Sequence, residues 1–321
     1  MMVATKDMER FAPVDGPEPL RNAILIAGPT ASGKSALALE AALATGAEIV
    51  NADSMQVYSV LDVLTARPPA ADLAAAPHRL YGYVPPDRGH STGAWLRDVA
   101  RLAADAGGRR HVFVGGTGLY FNALAGGLSH MPDIAADIRE AWRERLRREG
   151  ADALHAVLRG QDPESADRIR AGDGQRIVRA LEILDQTGQS LSHWRSRRGT
   201  PLVDMASARC ILVEPDRAML HRRIEARFEA MVSAGAIEEV RALVERGLDP
   251  ALPAMKAIGV RELAGVLRGE VAMAEALDRA KAATRQYAKR QMTWFRNQFG
   301  PEWRKIDFGT SFANIDLPLP E

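Results

Sequence analysis

Gly28-Pro29-Thr30-Ala31-Ser32-Gly33-Lys34-Ser35 is the stretch whose residue types and spacing most plainly suit a chemical task. Its glycines let successive backbone N–H groups turn inward on an anion, and a helix N-terminus adds partial positive charge. Lys34 brings a full charge to the same point, and the Ser35 hydroxyl can take a place on Mg²⁺. The expected ligand is a di- or triphosphate; the motif does not say what carries it. The stretch follows the apolar run Ala23–Ala27 and leads into the helix-like Ala36–Glu40. That is the strand, loop and helix that a phosphate-binding loop requires.

Two more apolar runs end in polar residues. Ile49-Val50-Asn51 is followed by Ala52-Asp53-Ser54-Met55-Gln56-Val57-Tyr58, and Val112-Phe113-Val114 by Gly115-Gly116-Thr117-Gly118-Leu119-Tyr120. In an open parallel sheet, ligands bind outside the carboxyl ends of the strands, so both segments should face the Lys34 loop. Asp53 there could support Mg²⁺, act as a general base, or simply close a turn. Gly115 and Gly116 would let backbone approach a ligand closely, with Thr117 as donor and acceptor, or would form a capped turn. No Asn-Lys-x-Asp guanine-reading motif occurs, and no apolar strand ends in paired Asp-Glu. A GTPase switch or an ATP-driven motor is disfavoured.

The segment 281–305 carries seven Lys or Arg against the single acid Glu302, interleaved with Tyr287, Trp294, Phe295, Phe299 and Trp303. Basic charge neutralises phosphates and aromatics stack on unpaired bases, as in the reading of single-stranded RNA loops. An amphipathic helix with an aromatic core face would look the same. Arg176 and Arg179, in Gln175-Arg176-Ile177-Val178-Arg179, share one helix face and suit either a binding role or a solvated surface.

The elements that must hold these residues follow from periodicity. Ile24–Ala27, Glu48–Asn51, Leu80–Val84, His111–Val114 and Ile211–Glu214 read as strands with helical segments between them, an α/β class with a parallel sheet. From about Pro132 to Arg198 the β signal disappears. Helical runs take its place at Asp133–Glu149, Ala151–Arg159 and Gly174–Gln186. The expected organisation is a P-loop NTPase-like core over 22–130 and 200–321, with a helical insertion domain over 131–199. Residues 1–21, with three prolines, read as a disordered arm. After Asp216 the pattern is helical to about Phe299, and Ala70–Ala76 reads as a loop or a helix start.

The 321 residues are 46% hydrophobic with net charge +1, so any nucleic-acid surface must be local. No apolar run has membrane-spanning length, and no secretory signal pattern is present. Cys210 is the only cysteine, which excludes an internal disulfide and a cysteine-built zinc site. A cytoplasmic location is the default expectation.

The chain resembles the bacterial tRNA dimethylallyltransferases, also called tRNA isopentenyltransferases. The resemblance rests on Gly28–Ser35, Asp53-Ser-Met-Gln-Val-Tyr58, Thr65-Ala-Arg-Pro68, Pro77-His78, Gly115-Gly-Thr-Gly-Leu-Tyr120, Gln175-Arg-Ile-Val-Arg-Ala-Leu-Glu182, Ala257-Ile-Gly-Val-Arg-Glu262 and Lys289-Arg-Gln-Met-Thr-Trp-Phe-Arg296. These segments come in the family's order between about residues 22 and 300. The resemblance implies transfer of a dimethylallyl group from dimethylallyl diphosphate to N6 of adenosine 37, in tRNAs that read codons starting with U. It places the diphosphate on Gly28, Pro29, Thr30, Ala31, Ser32, Gly33, Lys34 and Ser35, with Arg223 as a further contact and Ser35 on Mg²⁺. Asp53 would take the N6 proton, and Thr117 would contact the adenosine or the diphosphate. Ser54, Met55 and Gln56 would wall the flipped base. Arg139, Gln175 to Arg179, and Lys289, Arg290, Gln291, Met292, Thr293, Trp294, Phe295 and Arg296 would grip the anticodon stem-loop. The family expectation is a monomer without an obligatory protein partner. The sequence departs at Leu64, where the family usually has Gly, and at Val260, where Tyr is common.

Other readings of the same residues are a small-molecule or nucleotide kinase, a prenyltransferase acting on free AMP or ADP, and an RNA-binding module with a relic phosphate loop. A kinase has no need of Asp53 with Gln56 or of the basic-aromatic segment. An AMP enzyme would lack that extended surface. Intact Lys34, Ser35 and Asp53 argue against a relic.

Overall fold

Six short strands set the frame of the computed structural model, which describes residues 18–105, 107–129, 131–196 and 199–315. They are β1 (Ile24–Ala27), β2 (Glu48–Asn51), β3 (His78–Arg79), β4 (His111–Gly115), β5 (Arg209–Val213) and β6 (Trp303–Ile306), in the order β3-β2-β4-β1-β5-β6. Every pairing is parallel. Period-two alternation sends Leu25, Val50 and Phe113 into one core and Ile24, Ile26, Ile49, Val112, Val114 and Ile211 into another. Both faces are thus covered, as a parallel sheet requires. Ala27 pairs with Gly115 and Asn51 with Val114, so the loops after β1, β2 and β4 leave the sheet side by side.

Two expectations are corrected. Leu80–Val84 is not a strand: Leu80 and Gly82 have positive φ (61° and 56°), which breaks extended backbone, and the pairing with β2 falls on His78 and Arg79 instead. Arg79 meets Glu48 with two bonds of 2.8 and 3.1 Å, and this hydrogen bonding holds the Glu48 carboxyl below its usual range. β6 lies where only a basic-aromatic segment was expected.

The chain divides into two compact units, one over Gly126–Thr200 and one over the remaining residues; the expected insertion limits were 131 and 199. In the larger unit the helices include Lys34–Thr45, Thr92–Ala104, Gly118–Gly126, Arg217–Ser233, Ala236–Val244, Val260–Leu267 and Met273–Gln298. Residues 1–17 of the expected arm lie outside the described residues. Leu20 is not an arm residue: its backbone exchanges hydrogen bonds of 2.8 and 3.0 Å with Leu202 and Asp204.

The smaller unit is helical. Ala136–Gln161 breaks at Gly150 (φ 83°, ψ 169°), matching two runs read separately in the sequence, and Gly174–Thr187 supplies the other long helix. Trp142, Leu154, Leu158, Ile177, Val178, Leu181 and Ile183 form its core. Among the described residues no helix is long and apolar enough to cross a membrane.

Candidate active site

The phosphate loop leaves β1 and enters the helix Lys34–Thr45 through Gly33 in left-handed conformation (φ 86°). No side chain caps this helix, so its first-turn N–H groups keep their capacity for an anion. Lys34 Nζ arches back to the Pro29 carbonyl at 3.2 Å. The ammonium sits deep in the loop although the residue keeps some exposure. Burial pushes it down to about 8, against the pull of Asp53 and with the push of Arg227.

Asp53 stands on the neighbouring loop. Its N–H donates to Asn51 Oδ1 at 2.8 Å, and its Oδ1 accepts the Met55 N–H at 2.9 Å. No described residue hydrogen-bonds Oδ2. Thr117 Oγ1 accepts the Ser54 N–H at 3.0 Å and donates to Ser54 Oγ at 3.2 Å, which ties the β4 loop to the Asp53 loop. Gln291 closes the third side. Its carbonyl accepts the Thr30 N–H and its amide donates to the Gly116 carbonyl, both at 2.9 Å. Gly115 and Gly116 admit protein, not ligand: an added Cβ would meet the Ala52 carbonyl oxygen at 2.0 Å and Gln291 Nε2 at 2.1 Å.

The loops after β1 and β2 floor a cavity of about 410 Å³. Thr30, Ala31, Asp53, Ser54 and Met55 form one part of its lining. Leu64, Ile224, Phe228, Met231, Ala257 and Ile258 form an apolar wall, and Arg227, Lys256 and Arg290 supply positive charge. Burial lowers the Arg227 guanidinium, with Arg223 acting in the same direction and Asp53 opposing. Arg223 Nε donates to the Ala31 carbonyl at 2.8 Å. The site therefore combines an anion cradle, three cations, one carboxylate and an apolar chamber, which suits departure of a phosphorylated group from an apolar fragment beside a base.

The family model described as IPP transferase matches residues 56–298. A tRNA dimethylallyltransferase of Mesorhizobium japonicum is 60% identical over 288 residues, covering 89% of this chain and 90% of that protein. The chain belongs to the IPP transferase family. Among solved structures, the tRNA isopentenylpyrophosphate transferase of Bacillus halodurans is 32% identical with a TM-score of 0.63, covering 92% of each chain. A eukaryotic dimethylallyltransferase acting on tRNA shares the fold at a TM-score of 0.76 and 24% identity, over 89% of this chain and 73% of that one.

The structure brings Gly28 to Ser35, Asp53, Ser54, Met55, Thr117, Arg223, Arg290 and Gln291 into one neighbourhood. Other expected contacts point elsewhere. Gln56 is not in the cavity lining; its amide donates to the Thr65 and Ala66 carbonyls at 2.9 and 3.1 Å. Phe295 is fully buried, and Gln291 is buried and spent on the loops, so neither side chain offers a surface to RNA. Ile177 and Val178 are core residues of the smaller unit, for the same reason. Lys289, Arg290, Thr293 and Arg296 are exposed, with Met292 and Trp294 partly buried. Gln175 and Arg176 are exposed, and Arg179 pairs with the buried Glu182 at 3.4 Å. Arg139 reaches the Ile134 carbonyl at 3.4 Å.

Leu64 lies in a loop that Glu239 holds from the helix Ala236–Val244. Glu239 accepts the N–H groups of Asp62, Val63 and Leu64, while the Leu64 side chain lies over Gly259 and lines the cavity. Val260 is a core residue. Sequence reading missed Arg227 and Lys256. Arg227 follows Arg223 by one helical turn, and that spacing was the available signal.

Proposed function

We propose that this enzyme transfers a dimethylallyl group from dimethylallyl diphosphate to N6 of adenosine 37 in tRNA, giving N6-dimethylallyladenosine and diphosphate. The observation that carries the reading is the shared cavity of phosphate loop, Asp53 and apolar wall in a chain of this family.

The loop N–H groups, Lys34, Arg223 and Arg227 hold the diphosphate. The allylic C–O bond breaks with its electron pair passing to the diphosphate, and this arrangement stabilises the charge where it forms. The Leu64, Ile224 and Phe228 wall surrounds the allylic carbons and keeps water from the developing cation. The N6 lone pair forms the new C–N bond, and Asp53 takes the proton on the oxygen that Met55 does not engage. Thr117 acts by holding Ser54, and with it the Asp53 loop, in register.

The Ser35 hydroxyl is an oxygen donor of the kind Mg²⁺ takes, and no cluster of three or more His, Cys, Asp or Glu occurs among the described residues. Ser35 would hold the ion, which supplies further neutralisation of the diphosphate when bound.

Lys289, Arg290 and Arg296 of the larger unit and Gln175 and Arg176 of the smaller one are the exposed groups offered to the anticodon stem-loop. The enzyme acts in the cytoplasm, on tRNA, as a monomer. Deleting the gene should remove the prenylated adenosine from the cell's tRNA. Restoration by the wild-type gene and not by Lys34→Ala supports the reading, and undiminished prenylation in the deletion strain rejects it.

A further inference from the structure

The turn that follows β6 packs on the phosphate loop. A Cβ placed at Gly33 would meet Phe308 Cε2 at 2.8 Å, so the ring lies directly on the loop's last glycine. The face of the same ring lies 4.1 Å from the Arg223 guanidinium, whose Nε is bonded to Ala31. The turn itself is fastened. Thr310 Oγ1 donates to the Asp307 carbonyl at 2.9 Å, and Glu40 accepts the Ser311 hydroxyl and the Phe312 N–H, both at 2.8 Å. Ile315 then enters the core beside the phosphate-loop helix.

Arg223 needs such support. Its charge acts against that of Arg227, which in turn acts against that of Lys34. A long flexible side chain relieves repulsion by swinging into water. The Ala31 carbonyl and the ring quadrupole of Phe308 both oppose that motion.

We propose that Phe308 is a positioning residue: its ring holds the Arg223 guanidinium at the phosphate loop, in place for a diphosphate before one binds. This rests on the prenyl-diphosphate reading above. It assigns the segment after β6 a part in substrate binding, not only in closing the sheet.

Calorimetric binding of inorganic pyrophosphate tests it, beside steady-state kinetics. Phe308→Leu keeps apolar bulk over Gly33 but removes the π face. It should weaken pyrophosphate roughly three- to thirtyfold and raise KM for dimethylallyl diphosphate by the same factor, with kcat and the KM for a stem-loop unchanged. Phe308→Tyr should restore wild-type values. Phe308→Leu combined with Arg223→Ala should bind no more weakly than Arg223→Ala alone, because the ring acts through the arginine. Where Phe308→Leu does not fold, Phe308→Met carries the same expectation. Wild-type pyrophosphate affinity in the Leu or Met variant, or a loss that adds in full to that of Arg223→Ala, overturns the proposal and leaves the reaction standing. A wild-type protein that binds no pyrophosphate overturns the diphosphate reading together with it.

Discussion

Gln291 and Thr30, 261 residues apart in sequence, are joined by a 2.9 Å hydrogen bond from the Thr30 N–H to the Gln291 side-chain carbonyl. The other end of the same amide holds the Gly116 carbonyl. One buried side chain of the helix Met273–Gln298 thus sets the distance between the loops after β1 and β4. Gln291→Ala leaves a buried donor and acceptor unpaired, which should cost about 1–3 kcal/mol of stability. It should also raise KM for the prenyl diphosphate. Gln291→Glu keeps the acceptor for Thr30 and should fall between. Urea unfolding and KM on the three proteins check this; an alanine variant of wild-type stability would refute the strut.

Asp53 has one oxygen committed to Met55 and one free of described partners. Asp53→Asn can preserve the first contact while removing the base. The single-turnover rate should fall at least about a hundredfold, with tRNA affinity nearly unchanged. Filter binding and rapid quench separate the two. A loss confined to affinity would make Asp53 a grip and not a base.

Lys34 is held down at about 8 by burial. It must be protonated to attract a diphosphate, so affinity should be full below about 8 and decline as the pH rises through it. Lys34→Arg stays charged throughout this range and should flatten the decline. Pyrophosphate titrations across the range decide it. Parallel profiles for both proteins would show that another group titrates.

Lys289 and Arg290 are exposed near the end of the same long helix. Replacing both by Ala should weaken stem-loop binding and reduce the slope of log K against log salt by about 1.4, two phosphate contacts on an unpaired strand. An unchanged slope would make them solvated surface.

The phosphate loop was legible because its chemistry is local: glycine, lysine and serine fall within eight consecutive residues between a strand and a helix. Asp53 and Thr117 were placed by the rule that ligands gather at strand ends. What escaped depends on distance in the chain or on edges. β6 is a four-residue edge strand with exposed Arg304 and Lys305, and carries no clear apolar alternation. β3 has only two residues, and the apolar residues beside it belong to a left-handed turn. Nothing local marks Gln291 as a strut or Phe308 as a neighbour of Arg223. The basic-aromatic segment contains both of its readings at once: Phe295 belongs to the core, while Lys289, Arg290 and Arg296 belong to the surface.

The most direct test of the account is a transfer assay with purified protein, Mg²⁺ and labelled dimethylallyl diphosphate. An unmodified anticodon stem-loop carrying A36-A37-A38 and free AMP are offered in parallel. The account predicts label on A37 alone, lost in Asp53→Asn and in Lys34→Ala. Label on AMP alone, or on neither acceptor, would contradict it.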